Sequence, residues 1–185
     1  LALPRSAPCF NAVRNVRDCY VAAIARYITI QTSSSDSKAL EHGRYRKSAA
    51  LAQAEAAGYR LKTGVEAEYM LLSPDGAALS DPYDTAAKPC YDQQALMRRY
   101  DVIAEICDAM GALGWGPYQN DHEDANGQFE MNWDYADALV TADRHAFFKF
   151  MVRSIAEKHG LRATFMPKPI AGDNGSGMHV HQSIW

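Results

Sequence analysis

The run Leu61-Lys-Thr-Gly-Val-Glu-Ala-Glu-Tyr-Met-Leu-Leu72 sets the strongest constraint on what this chain can fold into. Its aliphatic and aromatic residues read as a buried strand, yet it carries Glu66 and Glu68 two positions apart. Successive strand side chains point to opposite faces, so these glutamates share one face, roughly 6 to 7 Å apart. At an effective dielectric of about 20, two charges at that distance repel by about 2.5 kcal/mol. Two readings stand open. The pair faces solvent on an edge strand, since Glu is seldom buried, or it is held for a cation that relieves the repulsion.

Two further segments carry acids or imidazoles. Asn120-Asp-His-Glu-Asp-Ala-Asn-Gly-Gln-Phe-Glu130 runs into a predicted strand, Gln128 to Trp133. There Gln128, Glu130 and Asn132 alternate with Phe129, Met131 and Trp133, a pattern that places core on one side and water on the other. A turn at Gly127 can return Glu123 to the side of Glu130. His122-Glu123 is no zinc-protease site, because HExxH is missing. Downstream, Gly172, Gly175 and Gly177 form a pliable loop whose backbone can approach a ligand closely. The loop feeds a strand on which His179, His181 and Ser183 share a face. These histidines are structural or ligating, and the spacing leaves both open.

Taken together, several carboxylates with one or two histidines favour a hard divalent cation, Mg²⁺ or Mn²⁺, over zinc. Clustered metals beside a glycine loop suit phosphoryl transfer. A net charge of −3 offers no basic field for nucleic acid. No stretch reaches the length of a membrane span. The four cysteines, Cys9, Cys19, Cys90 and Cys107, form no CxxC pair and follow no secretory signal, so reduced thiols in the cytoplasm are expected. With 48% hydrophobic and 22% charged residues, the composition is that of a globular domain.

The periodicity predicts a helix over Glu41–Ala57 closed by Gly58, and a turn at Ser73-Pro-Asp-Gly76. Asp92 is expected to cap a single helix with Leu96, Tyr100, Ile103, Cys107 and Met110 on one face, closed by Gly111 and Gly114. A longer helix is expected from about Ala142, with Phe147, Phe150, Met151 and Ile155 inward, ending at Gly160. Short strands at Arg162–Met166 and His179–Trp185 complete an α/β or α+β pattern, and the last strand has no later partner. Gln31 to Ser37 reads as a polar connector.

Three motifs, in order, resemble the glutamine synthetase family. Gly64-Val-Glu-Ala-Glu-Tyr is similar to its first metal strand, and His122-Glu-Asp-Ala-Asn-Gly-Gln-Phe-Glu130 to its second metal segment. Ala163-Thr-Phe-Met-Pro-Lys-Pro, followed by Asn174-Gly-Ser-Gly-Met-His-Val-His-Gln-Ser183, is similar to its nucleotide and glutamate signature. The resemblance covers about Glu41 to Trp185, a partial catalytic domain, and leaves residues 1–40 unassigned. Asn120 to Thr141 resembles the type III branch, close to γ-glutamylmethylamide synthetases.

The resemblance implies an α+β fold, incomplete at both ends, with a curved antiparallel sheet and helices packed outside. It implies that Glu68, Glu123 and Glu130 hold one metal, and that Glu66 and His179 hold a second near the ATP phosphates. Asn174 and Gly175 would contact L-glutamate, while His181, Gln182 and Ser183 would lie against the nucleotide. The implied reaction is ATP-dependent ligation of ammonia to the γ-carboxylate of glutamate through γ-glutamyl phosphate, in a homo-oligomeric ring. The family's remaining metal glutamate, its phosphate-binding arginines and its ammonia-gating glutamate would fall beyond Trp185. Tyr118 stands where some members carry a nucleotide-contacting glutamate. The chain as given is therefore expected to be inactive alone. Two alternatives accompany this reading: a γ-glutamylmethylamide or γ-glutamylpolyamine synthetase, and a non-catalytic protein that binds metal or nucleotide or joins an assembly.

Overall fold

The computed structural model describes residues 51–185. The connector at 31–37, the unassigned segment and the first part of the helix expected from Glu41 lie outside the described residues. That helix is seen through residue 56, and Gly58 follows it at φ +85°, the left-handed conformation that closes a helix.

Strand β1 (Leu61–Leu72) is the spine of a sheet in which every pairing is antiparallel. β3 (Gln128–Trp133) pairs with β1 from Glu66↔Asn132 to Met70↔Gln128, and the short β4 (Ala136–Asp137) continues along that edge. On the other edge, β6 (Met178–Ile184) covers residues 61–67 of β1 and β5 (Arg162–Thr164) covers residues 70–72. β2 (Pro117–His122) lies outside β3, so the order is β2-β3-β1. The final strand thus finds its partner in β1, upstream of it. β5 is shorter than the Arg162–Met166 expected, and β2 is an addition: Pro117-Tyr-Gln-Asn-Asp-His122 has no apolar alternation to announce it.

One face of the sheet is apolar. Val65, Ala67, Tyr69 and Leu71 of β1 join Phe129, Met131 and Trp133 of β3 beneath two helices, α2 (Tyr100–Ala112) and α3 (Ala138–Lys158). Tyr69 lies 6.2 Å from Phe129, 6.1 Å from Phe148 and 5.8 Å from Phe165 between ring centroids, and Trp133 lies 5.0 Å from Phe148. Each such pair contributes about 0.5–1.5 kcal/mol beyond the area it buries. α3 begins four residues before the expected Ala142, and its inward stripe is Phe147, Phe148, Met151, Val152, Ile155 and Ala156. Phe150 sits about 100° round the helix from Met151 and is exposed; Phe148 takes its place in the core.

The helix expected after Asp92 is two. Asp92 caps α1 (Gln93–Met97) by accepting from the Gln94 and Ala95 amides, and α2 begins after a break at Arg98 and Arg99. The break has a visible cause. Arg98 Nε bonds Asp81 and Arg99 bonds Ser80 through both its side-chain Nε and Nη2, tying the junction to the loop 73–92. Tyr100 is exposed, while Val102, Ile103, Ile106, Ala109 and Met110 form the buried face. Gly111 lies inside α2, and Gly114 (φ +70°) closes it.

Candidate functional site

The face of the sheet opposite the helices carries the polar residues. Glu66 and Glu68 of β1 stand beside Gln128, Glu130 and Asn132 of β3, with Glu68 directly opposite Glu130 and Glu66 opposite Asn132. Every residue of β3 is buried, so the expected division into core and water is corrected: its polar side faces a site roofed by the chain. Loop 165–177 folds over that face, with Gln128 as its anchor. Gln128 Nε2 donates to Glu68 Oε2 (2.7 Å), Gly175 O (3.1 Å) and Ser176 Oγ (3.3 Å), and its Oε1 accepts from Ala125 N (3.0 Å). The Gly177 amide donates to the same Glu68 oxygen at 2.9 Å. Gly175 fits because a Cβ there would lie 2.5 Å from the Pro167 carbonyl oxygen, a backbone atom that cannot step aside.

β6 brings two imidazoles to the other side of β1. His179 Nδ1 donates to Glu66 Oε2 at 2.9 Å and His181 Nε2 donates to Glu66 Oε1 at 2.7 Å. The His181 and His179 bonds outweigh burial and hold the Glu66 carboxyl below its ordinary range. Ligand atoms of Glu66, Glu130 and His179 all lie within 4.8 Å of one another. This tight group draws on both of the implied metal sets. Glu68 accepts from Gln128 and Gly177 through a single oxygen, Oε2, and Glu123 lies just past β2, its amide bonded to the Gln128 carbonyl.

The residues present fit a divalent cation. Burial first, then the charges of Glu130 and Glu68, push the Glu123 carboxyl up to about 7. Burial likewise raises Glu130, with Glu66 and Glu68 adding to it and the Asn132 bond opposing. Carboxylates that raise one another are an arrangement a bound cation stabilises. Asn132 gives its Nδ2 to Glu130 Oε1 (2.8 Å), and its buried Oδ1 has no partner among the described residues.

The other implied contacts fall nearby. Asn174 is on the exposed loop, its amide bonded to Asp173 Oδ1. His181, Gln182 and Ser183 line a cavity of about 230 Å³ together with Lys62, Tyr118 and Tyr135. The structure adds residues the motifs did not single out. Tyr135 and Trp185 lie nearly parallel, 6.3 Å apart at 18°, with Lys62 Nζ 5.5 and 4.8 Å from the two ring centroids. Lys62 and Tyr135 are far apart in sequence and meet only because β4 and β6 flank the same end of β1.

Asp84 also escaped the motifs. It is 3% exposed, in the loop before α1, and it accepts from His122 Nε2 (2.6 Å), the Gly127 amide (2.6 Å) and Asn126 Nδ2 (2.9 Å). Burial pushes its carboxyl up, but these bonds prevail and hold it below the usual range. Only its place in a Pro- and Asp-rich stretch, Asp81-Pro-Tyr-Asp84, distinguished it in the sequence.

Among the described residues no helix is long and apolar enough to cross a membrane.

Comparison with known proteins agrees with this geometry. A family model described as "Glutamine synthetase, catalytic domain" matches residues 41–185. A protein named glutamine synthetase from Rhizobium meliloti (strain 1021) is 73% identical over 135 residues, 73% of this chain and 31% of the relative. A protein named glutamate–methylamine ligase from Methyloversatilis universalis is 43% identical over 136 residues, 72% of this chain and 31% of the relative. A solved structure titled "GmaS/ADP complex-Conformation 1" superposes with a TM-score of 0.73 at 72% identity, covering 75% of this chain and 32% of its own. The chain thus spans about a third of the length of the relatives it matches. With the acidic sheet face, the glycine loop and the histidine strand in one antiparallel frame, the chain belongs to the glutamine synthetase family, through its catalytic domain.

Proposed function

We propose that the chain is part of an ATP-dependent ligase that joins ammonia to the γ-carboxylate of L-glutamate through γ-glutamyl phosphate. The observation that carries this reading is the convergence of Glu66, Glu130 and His179 within 4.8 Å, on the sheet face covered by the glycine loop. Glu68, Glu123 and Glu130 would hold one Mg²⁺ or Mn²⁺, and Glu66 with His179 a second. When bound, these cations offset the charge of the phosphoryl group in transfer from ATP to the γ-carboxylate.

The chain's own residues prepare that chemistry. His179 and His181 fix both oxygens of Glu66, and Gln128 with the Gly177 amide fixes Glu68. Such positioning keeps ligands from spending the binding energy on ordering themselves. Asn174 and Gly175, on the loop anchored by Gln128, contact the substrate glutamate. The cavity by His181, Gln182 and Ser183 takes the nucleotide, with Tyr118 and Tyr135 offering flat aromatic faces. Ammonia then displaces phosphate from the acyl carbon. We place this activity in the cytoplasm, where ATP is supplied and thiols such as Cys90 and Cys107 stay free, and in a homo-oligomeric ring of the whole protein.

The test is metal-dependent, glutamate-dependent ATP turnover by the whole protein of which this chain is part, with and without Glu130→Ala. Turnover that survives the substitution unchanged would show that the site is elsewhere. Methylamine is the second reading for the acceptor, favoured by the 43% identity to the protein named glutamate–methylamine ligase. Competing ammonia against methylamine in the same assay separates the two by which amide accumulates.

A further inference from the structure

The Glu123 carboxyl, unlike those of Glu66, Glu68 and Glu130, is held from within its own turn, by the amide of the neighbouring Asp124. It sits at the mouth of the turn 122–128, so its placement depends on what fixes that turn. Three of the turn's polar groups converge on a single buried carboxylate. Asp84 Oδ2 accepts from His122 Nε2 and from the Gly127 amide, both at 2.6 Å, and Oδ1 accepts from Asn126 Nδ2 at 2.9 Å. His122 is fully buried, edge-on to Phe129 at 5.1 Å, with its Nδ1 2.8 Å from the Glu123 carbonyl oxygen. The imidazole therefore bridges Asp84 to the backbone of Glu123 itself. Gly127 adopts φ +70°, and a Cβ there would meet Leu79 at 2.9 Å, so the turn is seated tightly against the Asp84 loop. That loop is fastened in turn: Arg98 bonds Asp81 and the Tyr83 carbonyl, and Arg99 bonds Ser80.

We propose that Asp84 is a positioning residue for the metal site, setting the place of Glu123 through His122 and the Gly127 turn. This rests on the reading of Glu123 as a metal ligand. Asp84 lies 39 positions before Glu123, and its bonds go to the turn, so it acts by fixing a backbone. Partners that orient a metal ligand typically change metal affinity by about 10- to 100-fold when removed. Asp84→Ala removes all three bonds. Asp84→Asn keeps one oxygen for His122 and Gly127 and turns the other bond into a clash of amide donors with Asn126, so its effect is smaller.

Mn²⁺ titration of the whole protein, followed by the loss of the free-ion EPR signal, distinguishes the possibilities. Glu123→Gln first identifies the binding phase that depends on Glu123. Asp84→Ala is expected to weaken that same phase by about 10- to 100-fold, Asp84→Asn by severalfold, and the phase sensitive to His179→Ala is expected to stay within about twofold. Equal weakening of both phases, or none, overturns the positioning role while leaving the metal reading intact. Absence of Mn²⁺ binding in the wild-type protein overturns both. Should Asp84→Ala not fold, selective loss in Asp84→Asn decides the matter by the same criterion.

Discussion

Replacing Gln128 by leucine tests the bond network that joins sheet, loop and site. The side chain is 1% exposed and of similar volume to leucine, so packing changes little while four polar contacts vanish. The bond to the Glu68 carboxylate, at 2.7 Å, contributes about 1.5–3 kcal/mol as a bond to a charged group. The Ala125 amide, in a fully buried residue, loses its acceptor and costs about 1–3 kcal/mol more. The contacts to Gly175 O and Ser176 Oγ, at 3.1 and 3.3 Å, are longer and add little. Bonds sharing one side chain do not add fully, and leucine regains some apolar burial, so the net loss is about 3–4 kcal/mol. With a urea slope of about 2 kcal/mol per molar, the unfolding midpoint should fall by about 1.5–2 M. Circular dichroism in urea, on metal-free protein, measures it. A loss below about 1 kcal/mol would refute the reasoning, since the buried amide would then have found water or another acceptor.

Other consequences are equally open to measurement. His145 has both ring nitrogens buried and without a hydrogen-bond partner among the described residues, and burial, with Lys149 adding, pushes it down to about 4. Its neutral form is the folded one, so stability is lost as pH falls from about 6.5 toward 4, by up to about 3 kcal/mol; His145→Leu should flatten that slope in denaturation curves taken across the range. Burial pushes the Glu105 carboxyl up, but Lys158 (2.7 Å) and His159 (2.8 Å) prevail and hold it low. A depressed carboxyl stabilises above its unfolded value near pH 4 and loses that as pH falls through the folded one. Glu105→Gln should therefore cost about 1 kcal/mol or less at pH 7, and progressively less as pH falls below about 4. Gly175→Ala should force the loop away from the Pro167 carbonyl, costing about 1–3 kcal/mol and raising the KM for glutamate in the turnover assay; an unchanged KM would remove Gly175 from the substrate contacts.

The elements legible in the chain were those whose partners lie on the same element. β1 and β3 appear at their expected bounds, because buried strands announce themselves by composition and alternation. Asp92 caps its helix as expected, and Gly58, Gly114 and Gly160 carry the positive φ of closing residues. β2 stayed hidden because its six residues are polar and its only reason to be extended is the β3 edge beside it. Nor do Arg98 and Arg99 look like a helix break, being good helix formers drawn out of line by Ser80 and Asp81.

The site divides in the same way. That Glu66 and Glu68 share a strand face, and His179 and His181 another, follows from the two-residue period of a strand, a property of the local chain. That the two faces are one face, with Glu130 opposite Glu68 and both imidazoles on Glu66, depends on antiparallel register between strands far apart in sequence. The same holds for Asp84, whose three bonds reach across about forty residues to a turn it does not neighbour. The sequence by itself determined which residue types were available and on which side of each element they stand. Only tertiary structure decided which of them meet, because long-range pairing is set by burial of the apolar face, and burying that face under α2 and α3 leaves the acids with each other.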